Sequence, residues 1–311
     1  MNILFLGTSS FSSQILEYLL ENSVSIIGVV TQPDTTHNNR TQKPPVKILV
    51  QEKYPHIPLY QPEKASSENF IHQMQQLKID LMITVAYGQI LSEQFLKLAK
   101  IDAINVHASL LPFYRGASPI QRVLLNNEKE TGITIMKMIK ELDAGDIIES
   151  VKVNILQEDN FTTLEEKLCQ TAKPLLLKVI HQFEKKEVKY FPQDSNKATY
   201  TKKIDKEELF LDWKKSAQAN LNSIRAFSIN PGARVYIQLN HEKKILKILK
   251  AQVIDQNGKP GEILEFSQQN WIVACQNKAL KLLEVQLEGK KRVSFQDFVR
   301  GYQQASLAFL P

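Results

Sequence analysis

Short apolar runs punctuate the first two-thirds of the chain. Asn2–Leu6, Ser25–Val30, Ile79–Ala86 and Ala103–Val106 read as strands. Between them, Phe11–Leu20 carries helical spacing in Phe11, Ile15, Leu16 and Leu19, and Asn69–Leu77 and Ser92–Leu98 are helical in pattern. Strands alternating with helices predict a Rossmann-like α/β fold with a mostly parallel sheet covered on both faces. Ligands of such sheets bind outside the carboxyl ends of the strands, so the tip of Ala103–Val106 is a favoured place for chemistry.

The pattern then changes. Gly132–Ile139 and Ile147–Ile155 are β-rich and flank the turn-forming stretch Glu141-Leu142-Asp143-Ala144-Gly145-Asp146, which predicts a hairpin. Phe161–Lys186 is a long helical region that Pro174 is expected to kink or divide. Apolar period fades and charge rises around 193–206, which is expected to be a linker. A helix over Trp213–Phe227 follows, then short β-like runs at Ala233–Leu239, Lys247–Ile254, Gly261–Phe266, Trp271–Ala274 and Leu280–Val285, and a helix from Phe295 to about Ala305. Closely spaced short strands predict a small, OB-like β-barrel. The expected domains are therefore 1–192, an α/β domain, and 207–311, a barrel, joined by 193–206. Residues 32–45, polar and without period, are expected to form a long loop of the kind that is functional or disordered.

Composition narrows the reading. The 311 residues are 43% hydrophobic and 23% charged, which suits a globular protein with a sizeable core. No run of 18 or more apolar residues predicts a membrane span, and Met1-Asn2-Ile3-Leu4-Phe5 ends at Gly7 as a first strand and not as a signal peptide. Cys169 and Cys275 stand far apart without metal spacing, so a reducing cytoplasm is expected and no metal site is read. The net charge of +6 is unevenly placed. Residues 206–311 hold 16 Lys+Arg against 10 Asp+Glu, and the rest of the chain is balanced. A basic region beside a neutral one suggests a polyanionic partner, although a solvated surface gives the same count.

Candidate chemistry gathers at Asn105-Val106-His107-Ala108-Ser109-Leu110-Leu111-Pro112. Side chains alternate along a strand, so Asn105 and His107 face the same way while Val106 packs behind them. Asn offers two N–H donors and His a switchable ring, a pair able to stabilise a developing oxyanion and manage a proton. Ser118 and Pro119 look like the N-cap and first residue of a helix. Asp143 and Asp146 each offer a carboxylate that could fix the tautomer of the imidazole or accept its charge. A dinucleotide is disfavoured, because Gly7-Thr8-Ser9-Ser10-Phe11 keeps one glycine of the G-x-G-x-x-G pattern; Ser9 or Ser10 caps the helix that follows. Arg40 and Lys43, the only cations of 32–45, are either surface charges or phosphate contacts.

Several of these stretches together resemble the folate-dependent formyltransferases. They are Asn105–Gly116 with Ser118-Pro119-Ile120-Gln121-Arg122, Glu130-Thr131-Gly132-Ile133-Thr134-Ile135 and Leu142-Asp143-Ala144-Gly145-Asp146-Ile147. Gly7-Thr8…Phe11, Thr31-Gln32-Pro33-Asp34, Pro45-Val46-Lys47, Val85-Ala86-Tyr87-Gly88 and Ile224-Arg225-Ala226-Phe227 follow the same family order. The Thr31–Asp34 stretch and the basic C-terminal region are similar to the branch that acts on methionyl-tRNA.

The resemblance implies the formyltransferase fold and transfer of the formyl group of 10-formyltetrahydrofolate to the α-amino group of methionine on initiator tRNA, for translation initiation. It places Asn105, His107 and Asp143 in the catalytic positions. It sets the folate beside Ser109, Leu110, Leu111 and Pro112 and the loop of Tyr87, Gly88, Ile90 and Leu91. Phe11 would meet the methionine side chain, with Arg40 and Lys43 toward the tRNA. A cytoplasmic monomer without metal or membrane attachment is expected. The other readings are a formyltransferase acting on an amino sugar nucleotide or another small amine, or a formyltetrahydrofolate hydrolase. Two departures touch tRNA handling: Thr35–Lys43 lacks the glycines and much of the charge of the family's loop, and Ser228-Ile229-Asn230-Pro231 replaces an Asn-Pro-Trp-Pro.

Overall fold

The computed structural model describes residues 1–37, 40–302 and 306–310. The chain divides into two compact units. The first comprises 1–119, 130–154 and 165–201, and the second 120–129, 155–164 and 202–311.

In chain order the first elements are β1 (Ile3–Gly7), α1 (Ser10–Glu21), β2 (Ile26–Val30), β3 (Thr35–His37), β4 (Arg40–Gln42), α2 (Pro45–Lys53), β5 (Leu59–Tyr60), α3 (Glu68–Gln75), β6 (Leu81–Val85), α4 (Glu93–Leu96) and β7 (Asp102–His107). There follow β8 (Arg115–Gly116), α5 (Pro119–Leu125), β9 (Glu130–Lys137), β10 (Ile147–Asn154), α6 (Phe161–Lys185) and β11 (Tyr200–Thr201).

The first unit is built on a seven-stranded sheet of order β10-β9-β7-β6-β1-β2-β5. The five strands from β7 to β5 are parallel, and β9 and β10 add an antiparallel edge. Every residue of β1 and β6 is buried, as continuous apolar strands covered on both faces require. From β1 the chain runs outward to β2 and β5, then returns to lay β6 on the other side of β1. Strand order therefore reverses between β1 and β6, which opens a crevice at their carboxyl ends. Thr8 Oγ1 donates to Tyr87 O at 2.8 Å, tying together the two loops that line this crevice. Ser9 caps α1 by accepting from Ser12 N.

Three expectations for this region are corrected. Residues 32–45 are not an unstructured loop: β3 and β4 pair antiparallel, and Pro45 opens α2 as its first residue. Three-residue strands are too short for a period to show. Residues 38 and 39 lie outside the described residues. Pro174 does not divide α6, which is continuous over 161–185. Pro174 and Gln170 are both exposed, so the interrupted hydrogen bond lies on the outward side of the helix. Ser118 is left-handed at φ 58°, outside the extended backbone of an N-cap.

The second unit holds α7 (Ala217–Ala226), β12 (Ala233–Leu239), β13 (Glu242–Ile254), β14 (Ile263–Phe266), β15 (Trp271–Ala274), β16 (Ala279–Leu287), β17 (Val293–Ser294), α8 (Phe295–Tyr302) and β18 (Leu307–Phe309). Its antiparallel, barrel-like sheet runs β14-β15-β16-β13-β12-β18, with β17 beside β16. Burial alternates strictly along β12, and irregularities around Ile248–Ala251 let the long β13 bend. Trp271 fills the core, stacked on Phe298 with ring centroids 4.9 Å apart. Here α7 begins at Ala217 and not at Trp213, because Ser216 accepts from Ala219 N as the cap. Trp213 packs instead against Phe309. Among the described residues, no helix is long and apolar enough to cross a membrane.

Candidate active site

Asn105 and His107 sit at the end of β7, between Thr84 of β6 and Met136 and Thr134 of β9 in register. His107 is buried and Asn105 half-buried. The His107 ring is oriented by Tyr114: Nε2 lies 2.9 Å from Tyr114 O. A carbonyl can only accept, so Nε2 carries the proton and Nδ1 is turned toward Asp143, whose Oδ2 is 3.7 Å away. That separation exceeds a hydrogen bond, and a proton on Nδ1 is what makes it attractive. Among the described residues the Asn105 side chain has no hydrogen-bond partner, so its donors remain available at the strand tip.

Asp143 arrives from the β9–β10 connection. That connection leaves β9 at Lys137, which pairs with Ile104 three residues before His107, and folds back along the strand. Two contacts set its end point. Gly116 N donates to Asp143 Oδ2 at 2.8 Å, and Gln193 Nε2 donates to Asp143 O and Gly145 O at 2.9 and 2.7 Å. Asp143 itself is left-handed at φ 50°. The Asp146 carbonyl accepts from Lys137 N and closes the hairpin.

The Ser109–Pro112 turn is held from within. Ser109 is fully buried and its hydroxyl donates to Phe113 O. Thr134 Oγ1 donates to Ser109 O and accepts from Leu111 N. The turn thus presents apolar carbon: Leu110 lies over Gly132, where a Cβ would sit 2.5 Å from Leu110 Cδ2. Leu111 is buried and Pro112 half-buried.

The loop after β6 is less uniform than expected. The Tyr87 phenol points into the core, where burial pushes its pKa up to about 12; only its carbonyl serves the crevice. Gly88 is left-handed at φ 89°, Leu91 is buried, and Ile90 is 87% exposed. Phe11 is buried in the first turn of α1. Lys43 is exposed just after β4; Arg40 opens β4, and its side chain lies outside the described residues. The structure thus gathers Asn105, His107 and Asp143, flanks them with two of the predicted loops, and keeps Arg40 and Lys43 on a separate hairpin.

Sequence reasoning missed Tyr114, Arg115, Gly116, Thr134 and Gln193. Four of these act through backbone or interior contacts, and Gln193 is fifty residues from the loop it holds, so no local pattern marks it. Chemically, an uncommitted amide beside a carboxylate–imidazole pair is suited to an acyl transfer in which an oxyanion forms and a proton moves.

The formyl transferase family model matches residues 1–180, and that of the formyl transferase C-terminal domain matches 203–303. The methionyl-tRNA formyltransferase of Protochlamydia amoebophila is 44% identical over 100% of this chain and 98% of its own. That of Staphylococcus epidermidis is 40% identical, covering 97% of each. Among solved structures, HypX from Aquifex aeolicus in complex with tetrahydrofolic acid aligns with a TM-score of 0.66 at 17% identity, over 97% of this chain and 47% of that one. An N-formyltransferase from Helicobacter canadensis in complex with folinic acid and dTDP-3-aminofucose aligns at 0.65 and 20% identity, over 90% and 98%.

Proposed function

The chain belongs to the formyl transferase family, and on that premise we propose that it transfers the formyl group of 10-formyltetrahydrofolate to the α-amino group of methionyl initiator tRNA. The observation that carries this reading is the convergence of Asn105, His107 and Asp143 at one strand tip in a chain similar along its whole length to relatives named for that reaction.

Each residue has a physical part. Asn105 donates to the formyl oxygen as it gains charge under attack by the amine; such a donor contributes about 3–4 kcal/mol to lowering the barrier. His107, tied at Nε2 to Tyr114 O, keeps Nδ1 toward Asp143. The pair holds a proton at the edge of the site and moves the amine's proton toward the departing nitrogen.

The residues around the crevice fit a folate. Ile90, Phe113 and Leu142 leave large apolar surface uncovered in the loops that flank the strand tips, and Leu110 adds a wall. A flat heteroaromatic ring covers such carbon, with backbone groups of the 86–91 loop available to read its edge. Phe11, buried at the head of α1 just beyond the end of β1, is assigned to the methionine side chain. The catalytic domain is taken as 1–192, to which 193–201 is joined by the pairing of β11 with β8, and the tRNA-binding domain as 207–311, whose excess of cations suits a phosphate backbone. Arg40 and Lys43 are taken as further cations for the tRNA. The protein acts as a cytoplasmic monomer.

The test is an acceptor assay with 10-formyltetrahydrofolate and initiator and elongator Met-tRNA side by side. Formylation favouring the initiator is expected. No formylation of either, together with formylation of a nucleotide-sugar amine, overturns the reading.

A further inference from the structure

Four residues around the site have left-handed backbone. Tyr114, Gly116, Ser118 and Asp143 have φ of 60°, 103°, 58° and 50°, and three of them are not glycine. Residues in this region cost energy and persist only where surroundings over-determine them. Here much of the support comes from one stretch, 193–201. Tyr114 N donates to Thr199 Oγ1 at 2.8 Å, Arg115 N to Thr199 O at 2.8 Å and Ala117 N to Thr201 O at 3.2 Å. β11 pairs in parallel with β8. The stretch belongs to the first unit.

At its head, Gln193 spends its whole side-chain amide. Its oxygen accepts from Arg115 Nε and Nη2 at 3.1 and 2.8 Å. Its nitrogen gives both protons to Asp143 O and Gly145 O. Arg115 is 2% exposed, and its remaining Nη1 donates to the Tyr200 hydroxyl at 3.1 Å. A buried guanidinium that points two N–H groups at one amide oxygen fixes which end of that amide faces which way. The amide nitrogen must then face the loop carbonyls, and the loop must turn left-handed at Asp143 to receive it.

We infer that Gln193 is a positioning residue for the reaction. Oriented by Arg115, it clamps the 143–145 backbone so that the Asp143 carboxylate meets Gly116 N and faces His107 Nδ1. Nothing in it touches the reacting atoms. The inference rests on the function proposed above, and it makes 193–201 part of the catalytic apparatus.

The test is Gln193→Glu beside Gln193→Ala. Glutamate keeps an oxygen acceptor for Arg115 but cannot donate to the two carbonyls, so it separates support of the guanidinium from positioning of the loop. Expected for Gln193→Glu is a kcat lower by about 10²-fold, the scale of a small misplacement of a catalytic group. KM for formyl donor and tRNA, thermal midpoint and tRNA affinity should stay unchanged, and the acid limb of the kcat–pH profile should move. Gln193→Ala should lose activity as much and stability besides, because it strands Arg115. An unchanged kcat in Gln193→Glu overturns the inference. So does a fall in thermal midpoint or tRNA affinity parallel to the loss of rate, which assigns the residue to the fold. Wild-type protein that formylates no Met-tRNA fails the functional reading instead.

Discussion

Two regions of the first unit carry the features expected of function, and they are built in opposite ways. The strand-tip region, Asn105–Gly116 with Asp143, is fixed from the interior by Thr134, Arg115 and Gln193, with left-handed residues locked in place. The hairpin 35–42 is three ladder pairs long and is moored at its base by Asp34, which meets Lys47 at 2.9 Å and Gln61 Nε2 at 2.9 Å. Acyl transfer needs donors within fractions of an ångström before the substrate arrives. A contact with a polyanion needs only charge that can reach. On the proposed function, rigidity is concentrated at the strand tip, where the reaction would be held, and the hairpin needs only reach.

The largest effect should come from the strand-tip side. Asp143→Asn keeps the shape and an oxygen for Gly116 N but removes the charge opposite His107. We expect kcat to fall about 10²–10⁴-fold, the usual share of a general acid–base group, with tRNA affinity nearly unchanged in a filter-binding titration. Equal loss of rate and affinity would erase the contrast between the regions. Asn105→Ala should cost about 10²–10³ in kcat by the oxyanion-donor argument.

Next is Gly116→Ala. Gly116 sits at φ 103°, and an added Cβ would lie 2.5 Å from Thr201 O, a backbone atom that cannot swing away. The expected cost is about 1–3 kcal/mol of stability, seen as a lower denaturation midpoint, and activity should fall with it because Gly116 N holds Asp143. Gly289, at φ 72° with nothing within 4 Å of an added Cβ, is the control in which the clash is absent.

How far the sequence foretold this follows the same division. The alternation that aims Asn105 and His107 together is legible, since period-2 geometry belongs to the strand itself. The parallel strands are legible because full burial makes them continuous apolar runs. Gln193 and Tyr114 O are not, because one acts across fifty residues and the other through a backbone carbonyl that every residue has. From the residues alone Asp143 and Asp146 are equivalent; the resemblance favours Asp143, and the structure places Asp143 beside His107 while Asp146 closes the hairpin. The 35–42 hairpin escaped because its strands are polar and short, and β18 because Leu307–Phe309 is three residues long. Trp213 drew the predicted start of α7 too early, since a buried aromatic beside a helix resembles a first turn until Ser216 is seen to cap.

A smaller effect tests the reach of the hairpin. If Lys43 meets a phosphate, Lys43→Ala should weaken tRNA binding and make the slope of log affinity against log salt shallower by about one unit, with kcat at saturating tRNA unchanged. A wild-type affinity that stays flat between about 50 and 200 mM salt would deny an electrostatic role to the hairpin and to the basic second unit alike.

The smallest effect concerns the mooring. The hydrogen bond from Gln61, then the ammonium of Lys47, holds the Asp34 carboxyl below the usual carboxylate range. A group whose pKa is depressed by folding lends stability above its unfolded value and loses it as the pH drops through the folded one. The base of the hairpin should therefore be firm near neutrality and loosen only in acid, below about pH 4, where the unfolded carboxylate titrates. Carboxyl NMR of Asp34 should show the depressed titration in wild type and a return toward the ordinary value in Lys47→Met. Because Gln61 remains, the return should be partial, and kcat at neutral pH should be unaltered. A Lys47→Met variant that lost catalysis as well would mean that the hairpin's mooring and the strand tips are one rigid device, and the contrast between them would fall.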